Sequence, residues 1–130
     1  EEREAYIEFN TKLSNALSGS GFPYDPEWLR EHIARRYDRS YYPQGMARQF
    51  VAILTQKDRR PALGSLSIPT LVIHGSDDRL VPVECGKNTA AATPGAKLMI
   101  IDGMGHDLPD GGAWPQIIDA IIEHTHEVDV

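Results

Sequence analysis

Two short apolar runs, each ending in a turn rich in glycine and polar residues, dominate the pattern of the second half of the chain. They predict strands at 70–74 and 97–101. Uninterrupted apolar runs of this length, bounded by turn residues, are typical of strands buried on both faces. Residues 83–93 lie between them and have the length of one short helix. The order strand, helix, strand predicts a parallel crossover, in which both strands end at the same edge of the sheet.

Helical spacing of apolar residues characterises the rest of the chain. We predict helices over 3–18, from Asp25-Pro26 onwards, over 44–57 and over 114–126. Asp25 can accept a free backbone N–H at the start of its helix, and Pro26 fits the first helical position. The apolar stripes predicted to be buried are Tyr6, Phe9, Leu13 and Leu17; Leu29, Ile33 and Tyr37; Met46, Phe50, Ile53 and Leu54; and Ile117, Ile118, Ile121 and Ile122.

Polar side chains with catalytic potential follow both predicted strands. Asp78 lies in the segment 74–82 (HGSDDRLVP), and His106 ends the segment 102–106 (DGMGH). A histidine oriented by a carboxylate can take a proton from a hydroxyl nucleophile and return it to the leaving group. Asp77 is the alternative acid, although the spacing from the preceding glycine favours Asp78. Asp77 or Asp78 alone would also suit a cap of the helix starting near residue 82.

The pattern HGxxDRxxP, followed by GxGH after the next strand, resembles the C-terminal part of α/β-hydrolases. In that family the acid follows the penultimate strand, the histidine follows the last one, and a Gly-x-Ser-x-Gly nucleophile elbow comes earlier in the chain. The resemblance implies that Asp78 orients His106 as general base. It also implies an α/β fold in two segments, a helical cap or lid over 1–60 and the C-terminal βαβα part of the hydrolase core over 61–130.

The nucleophile required by this resemblance is missing from the pattern. No serine has glycine at both −2 and +2, and no His-Gly-Gly stretch is present to supply an oxyanion hole. We therefore expect the parent protein to be a serine hydrolase of small-molecule carboxylic esters, with its serine outside these residues, and the chain alone to be an inactive fragment. The alternatives are a member with an aspartate nucleophile (an epoxide hydrolase or dehalogenase) and a non-catalytic binding or assembly domain.

A metal-dependent enzyme that uses His74, Asp77, Asp78 and His106 is a further, weaker alternative. The resemblance implies neither a metal nor another cofactor. His124 and His126 are two positions apart, so a helix would direct them away from each other rather than to one metal ion.

Aromatic residues are concentrated in the predicted cap. They suit either a substrate pocket under a lid or ordinary packing between helices, and packing is the interpretation we favour. They are Phe22, Tyr24, Trp28, Tyr37, Tyr41 and Tyr42.

Composition restricts the partners. The 130 residues carry a formal charge of −6, which argues against nucleic acid and against an anionic membrane surface. No apolar run approaches the roughly 20 residues that span a bilayer. The single cysteine, Cys85, excludes an internal disulfide and favours a cytoplasmic setting. A two-stranded sheet would expose its edges, so we expect a homo-oligomer formed through these edges or the lid helices.

Overall fold

The computed structural model of the protein describes residues 1–108 and 112–128. Helices precede a strand–helix–strand unit, and a long helix follows it. In chain order the elements are α1 (Glu2–Leu17), α2 (Pro26–Arg39), α3 (Pro43–Leu54), α4 (Arg60–Leu63), β1 (Leu71–Gly75), α5 (Val83–Ala92), β2 (Lys97–Ile101) and α6 (Trp114–Val128). The single turn α4 lies between α3 and β1.

The parallel crossover predicted from the two apolar runs is confirmed. β1 pairs with β2 in parallel, from Leu71 opposite Lys97 to Gly75 opposite Ile101. Helix α5 connects the strands and packs against both. The carboxyl ends of the two strands therefore lie side by side, and the loops that follow them share one edge of the sheet.

Apolar burial is divided between two clusters. Ile7, Leu29 and Ile33 pack together between α1 and α2, with aromatic rings around them. A second cluster joins Ile101 of β2 to Ile117 of α6 and to the loop between these elements. The clusters correspond to the helical and the sheet-containing parts of the chain, but the proposed boundary between 60 and 61 stays a prediction.

Helix α2 begins as its sequence predicts. The Asp25 side chain accepts a hydrogen bond of 2.8 Å from the Trp28 backbone N–H, and Pro26 occupies the first turn. A carboxylate at this position satisfies a donor that has no partner within the helix and complements the positive end of the helix dipole. The cap fixes the start of the helix that carries Leu29 and Ile33 into the first cluster.

Several apolar stripes predicted to be buried are exposed, and for these the prediction was wrong. In α1 the buried residue is Ile7, whereas Phe9 and Leu13 are exposed. Helix α3 buries none of its residues, and Met46, Phe50, Ile53 and Leu54 are 56–68% exposed. In α6 only Ile117 of the four isoleucines is buried. Amphipathicity identifies the apolar face of a helix but not whether another element covers it.

The strands are also less covered than predicted. Leu98 and Ile100 of β2 are 39% and 41% exposed, so one face of this strand is open rather than buried. No helix among the described residues is long and apolar enough to cross a membrane. The homo-oligomer and the cytoplasmic location stay predictions.

Replacing Ile33 by alanine is expected to lower the free energy of unfolding by about 2–5 kcal/mol, because this fully buried side chain would leave a cavity in the α1–α2 cluster. The same replacement at Ile118, which is 47% exposed, is expected to cost less than about 1 kcal/mol. Urea denaturation followed by circular dichroism measures both, and equal costs at the two positions would contradict the assignment of the core.

Candidate active site

Hydrogen bonds join the loop after β1 to the end of β2 and to the loop after it. The backbone N–H of Ser76 donates to the Ile101 carbonyl at 3.0 Å, and that of Asp77 donates to the Met104 carbonyl at 2.9 Å. The N–H of Gly103 donates to the Ser76 hydroxyl at 2.8 Å. These bonds continue the strand pairing beyond the sheet, so the loops reach the site in a fixed register.

Glycine is required where these loops are closest. A Cβ atom at Gly75 would lie 2.0 Å from the Met104 carbonyl oxygen. Gly103 has a φ of +73°, in the left-handed region that side chains disfavour. These glycines therefore permit the close approach of two loops. We call the loop after β1, which carries Asp78, the acid loop, and the loop after β2, which carries His106, the histidine loop.

Asp78 is held on both of its carboxylate oxygens. Its Oδ1 accepts hydrogen bonds from the backbone N–H groups of Leu80 at 2.9 Å and Val81 at 2.8 Å. Its Oδ2 lies 2.9 Å from Nδ1 of His106. Helix α5 begins after Pro82 without a side-chain cap, so the structure does not support the alternative in which Asp77 or Asp78 caps it. The side chain of Asp78 is only 5% exposed.

The charge of Asp78 is favoured by its hydrogen bonds. Burial raises the pKa of the carboxyl, but the N–H groups of Val81 and Leu80 and the imidazole of His106 lower it by more in sum. The pKa therefore lies below the ordinary aspartate value, and Asp78 is ionised at neutral pH. An ionised carboxylate only accepts hydrogen bonds, so Nδ1 of His106 carries the proton.

His106 presents its other ring nitrogen away from the acid. In a neutral imidazole with the proton on Nδ1, Nε2 has a free lone pair and can act as a base. The side chain is 37% exposed, whereas that of Asp78 is nearly inaccessible. General-base catalysis requires a base that a reactant can reach, and a buried acid that holds the base in place supports this role.

His74 supports the acid loop from the strand. Its Nε2 lies 2.9 Å from the Val81 carbonyl, to which it donates, and 3.6 Å from Oδ2 of Asp78. The imidazole packs on α5 at Gly86, where a Cβ atom would lie 2.7 Å from Nδ1 of His74.

Asp77, the alternative acid, faces a different partner. Its Oδ2 accepts from the hydroxyl and the backbone N–H of Ser20, at 2.5 and 3.1 Å, and its Oδ1 accepts from the Ser76 hydroxyl at 3.0 Å. The Ser20 hydroxyl is the largest cause that lowers the pKa of Asp77. Local patterns do not predict this contact, because Ser20 and Asp77 are 57 positions apart in the sequence.

Two pockets adjoin the histidine loop. One, of about 260 Å³, includes Ile73, Asp78, Met104, His106 and Leu108 in its lining. The other, of about 300 Å³, lies against α2 and includes Tyr24, Trp28, His32, Leu108 and Trp114. Leu108 belongs to both linings, so the aromatic pocket begins beside the loop that carries His106.

The residues of the metal alternative do not form one site. His74, Asp78 and His106 are near each other, but Asp77 is directed to Ser20. Across residues 1–108 and 112–128, no group of three or more His, Cys, Asp or Glu side chains is placed to hold a metal ion.

Comparison with known proteins agrees with this architecture. The family model of the α/β hydrolase fold matches residues 4–113, so the chain belongs to that family. The chain is 32% identical over 133 residues to a pimeloyl-(acyl-carrier protein) methyl ester esterase of Xanthomonas oryzae pv. oryzae, covering 92% of this chain and 51% of the relative. It is 31% identical over 110 residues to a 2-hydroxy-6-oxononadienedioate/2-hydroxy-6-oxononatrienedioate hydrolase of Cupriavidus pinatubonensis, covering 80% and 36%.

A solved esterase of Rhodococcus shows the same fold. It superposes with a TM-score of 0.64 at 25% identity, covering 95% of this chain and 43% of that one. The chain therefore spans about half the length, or less, of the relatives that it matches.

The buried Asp78 carboxylate should stabilise the protein in a pH-dependent way. Because its folded-state pKa is depressed, its contribution is present above the unfolded value of about 3.9 and is lost as pH falls through the folded pKa. We expect the difference in unfolding free energy between wild type and Asp78→Asn to shrink between about pH 5 and pH 2.

Urea titrations at each pH measure this difference, with Asp119→Asn on the exposed surface of α6 as control. A difference for Asp78→Asn that stays constant or grows on acidification would contradict the assigned direction of the pKa.

Proposed function

We propose that the whole protein is a serine hydrolase that cleaves carboxylic esters, with Asp78 and His106 as the acid and base of its triad. The observation that carries this proposal is the hydrogen bond of 2.9 Å between Asp78 Oδ2 and His106 Nδ1 at the common edge of two parallel strands. Membership of the α/β-hydrolase family and the ester hydrolases among the relatives support it.

The proposed chemistry follows from the free lone pair of His106. Nε2 removes the proton of the serine hydroxyl while its oxygen attacks the ester carbonyl carbon, and Asp78 stabilises the resulting imidazolium. The tetrahedral intermediate collapses to an acyl-serine, and the imidazolium gives its proton to the departing alkoxide. Water then attacks the acyl-serine in the same way, which releases the carboxylic acid and restores the serine.

We place the nucleophile outside these 130 residues. Among the described residues, His106 makes its one side-chain hydrogen bond with Asp78. Ser20 and Ser76 are engaged with Asp77, and no serine has the glycines of a nucleophile elbow. In this proposal the nucleophile and the oxyanion hole are both supplied by residues other than these 130.

The aromatic pocket suggests where the larger part of an ester would lie. Trp28 stacks between Tyr24 and His32, with ring centroids 5.8 and 4.7 Å away. Trp28 and Leu108 line the same pocket beside the histidine loop. We propose that an apolar or ring-containing group of the substrate packs here, in addition to the role of these aromatic residues in helix packing.

In the full-length protein, Asp78→Asn is expected to lower kcat for p-nitrophenyl butyrate about 10³–10⁴-fold, because the amide no longer favours the protonated Nδ1 and the imidazolium. His106→Ala is expected to abolish turnover and labelling by a fluorophosphonate probe. Asp119→Asn serves as the control and should leave kcat within about twofold of wild type, since substitutions away from such sites have small effects.

Other outcomes would point to the alternative classes. Turnover of an epoxide or haloalkane without fluorophosphonate labelling would overturn the serine assignment in favour of an aspartate nucleophile. Absence of any hydrolysis together with a correctly folded full-length protein would favour a binding or assembly domain.

The isolated 130-residue chain is expected to hydrolyse p-nitrophenyl esters no faster than its His106→Ala variant, because the proposed nucleophile is absent. A spectrophotometric assay at neutral pH measures the two side by side. Turnover by the wild-type chain that disappears in His106→Ala would place the nucleophile within these residues and contradict the proposal.

A further inference from the structure

We propose that Ser20 and Asp77 are positioning residues, which clamp the connection between α1 and α2 onto the acid and histidine loops and so hold His106 in line with Asp78. We use the term connection for residues 17–21, which are the last residue of α1 and the first four residues of the segment that leads to α2. The catalytic consequence rests on the proposed function, whereas the positioning of the imidazole does not.

The connection forms a backbone ladder with the histidine loop. The N–H of His106 donates to the Leu17 carbonyl at 2.8 Å, and the N–H of Gly105 donates to the Ser18 carbonyl at 3.0 Å. In the other direction, the N–H of Gly21 donates to the Gly103 carbonyl at 2.9 Å. The backbone of His106 itself is therefore fixed by a segment that lies outside the sheet.

The two segments meet without intervening side chains. A Cβ atom at Gly105 would lie 1.9 Å from the Leu17 carbonyl oxygen. One at Gly19 would lie 2.3 Å from the Gly103 carbonyl oxygen, and Gly19 also has a φ of +82°. Because the two backbones lie this close together, a shift of the connection is expected to move the histidine loop as well.

The connection also contacts the acid loop, and here the contact is made through the side chains of Ser20 and Asp77. Ser20 donates both its hydroxyl and its N–H to Oδ2 of Asp77, while Ser76 donates to Oδ1. Asp77 is the residue before Asp78, and its own N–H bonds the Met104 carbonyl of the histidine loop. Asp77 therefore ties together the connection, the acid loop and the histidine loop, directly beside the acid.

This arrangement gives the clamp a specific role. His106 lies on a loop supported from one side by the acid loop and from the other by the connection. If the Ser20–Asp77 contact is removed, the backbone ladder between the connection and the histidine loop remains. The hydrogen bonds that hold the connection to the acid loop are lost. A misplacement of about 1 Å in a catalytic group is enough to lower a rate about 100-fold.

The test uses Ser20→Ala, which removes the hydroxyl donor, and Asp77→Asn, whose amide has a single acceptor oxygen and cannot accept from both Ser20 and Ser76. Ser20→Thr keeps a hydroxyl and is the rescue variant. Ser65→Ala is the matched control, because the hydroxyl of this exposed serine donates to the nearby Ala62 carbonyl and, among the residues that the structure describes, makes no bond to either loop.

The first measurement is independent of any activity. In the 130-residue chain labelled with ¹⁵N-histidine, the Nδ1–H resonance of His106 reports its hydrogen bond to Asp78, and amide exchange reports its backbone. We expect Ser20→Ala and Asp77→Asn to weaken or broaden the Nδ1–H resonance and to speed exchange of the His106 amide at least tenfold, while Ser20→Thr and Ser65→Ala retain both signals. An unchanged Nδ1–H resonance in both disrupting variants would overturn the proposal.

The second measurement uses the full-length protein. We expect kcat for p-nitrophenyl butyrate to fall about 10–100-fold in each disrupting variant, with KM within about twofold, because a misaligned base affects the chemical step rather than binding. The kcat of the double variant should be no lower than that of the less active single variant, since both substitutions act on the Ser20–Asp77 contact. Loss of thermal stability with unchanged kcat would show a contact that only stabilises the fold, and would overturn the proposal.

The two measurements separate the two proposals. A full-length protein that hydrolyses no ester would refute the proposed function, while the resonance of His106 would still decide whether Ser20 and Asp77 position it. An active protein with an unaffected His106 in the disrupting variants would keep the function and refute the clamp.

Discussion

The parallel pairing of β1 with β2 is the constraint on which the site depends. Asp78 and His106 are 28 positions apart in the sequence, so they meet only through the pairing of the strands that precede them. Because the strands run in the same direction and in register from Leu71–Lys97 to Gly75–Ile101, the segments after them begin side by side. An antiparallel pair would place the two loops at opposite ends of the sheet, and no choice of side chain could then bring the carboxylate to the imidazole.

The carboxylate illustrates how the site balances opposing effects. Burial beneath the loops penalises the charge of Asp78, yet N–H donors from Leu80, Val81 and His106 surround it. A buried charge is tolerated when its lone pairs are satisfied, and a satisfied charge has little freedom to rotate. The same contacts that keep Asp78 ionised therefore also fix the direction in which it faces His106.

The sequence was sufficient for the strands, the crossover and the Asp78–His106 pair, because short apolar runs and the turns after them are local signals. It was insufficient for the Ser20–Asp77 contact, which joins residues 57 positions apart and depends on the path of the connection between α1 and α2. It also overestimated burial in α3 and α6. Met46, Phe50 and Ile121 have the spacing of a packed face, but packing requires a neighbour that periodicity cannot specify.

The contact between His74 and Gly86 has an evolutionary consequence. The imidazole that bonds the Val81 carbonyl occupies the space beside α5 that any side chain at position 86 would need. The two positions are therefore interdependent: a lineage that gains even a methyl group at 86 must first replace the ring at 74 by something smaller, and in doing so gives up the support of the acid loop. A side chain at position 86 is therefore expected only where position 74 holds a smaller residue than histidine.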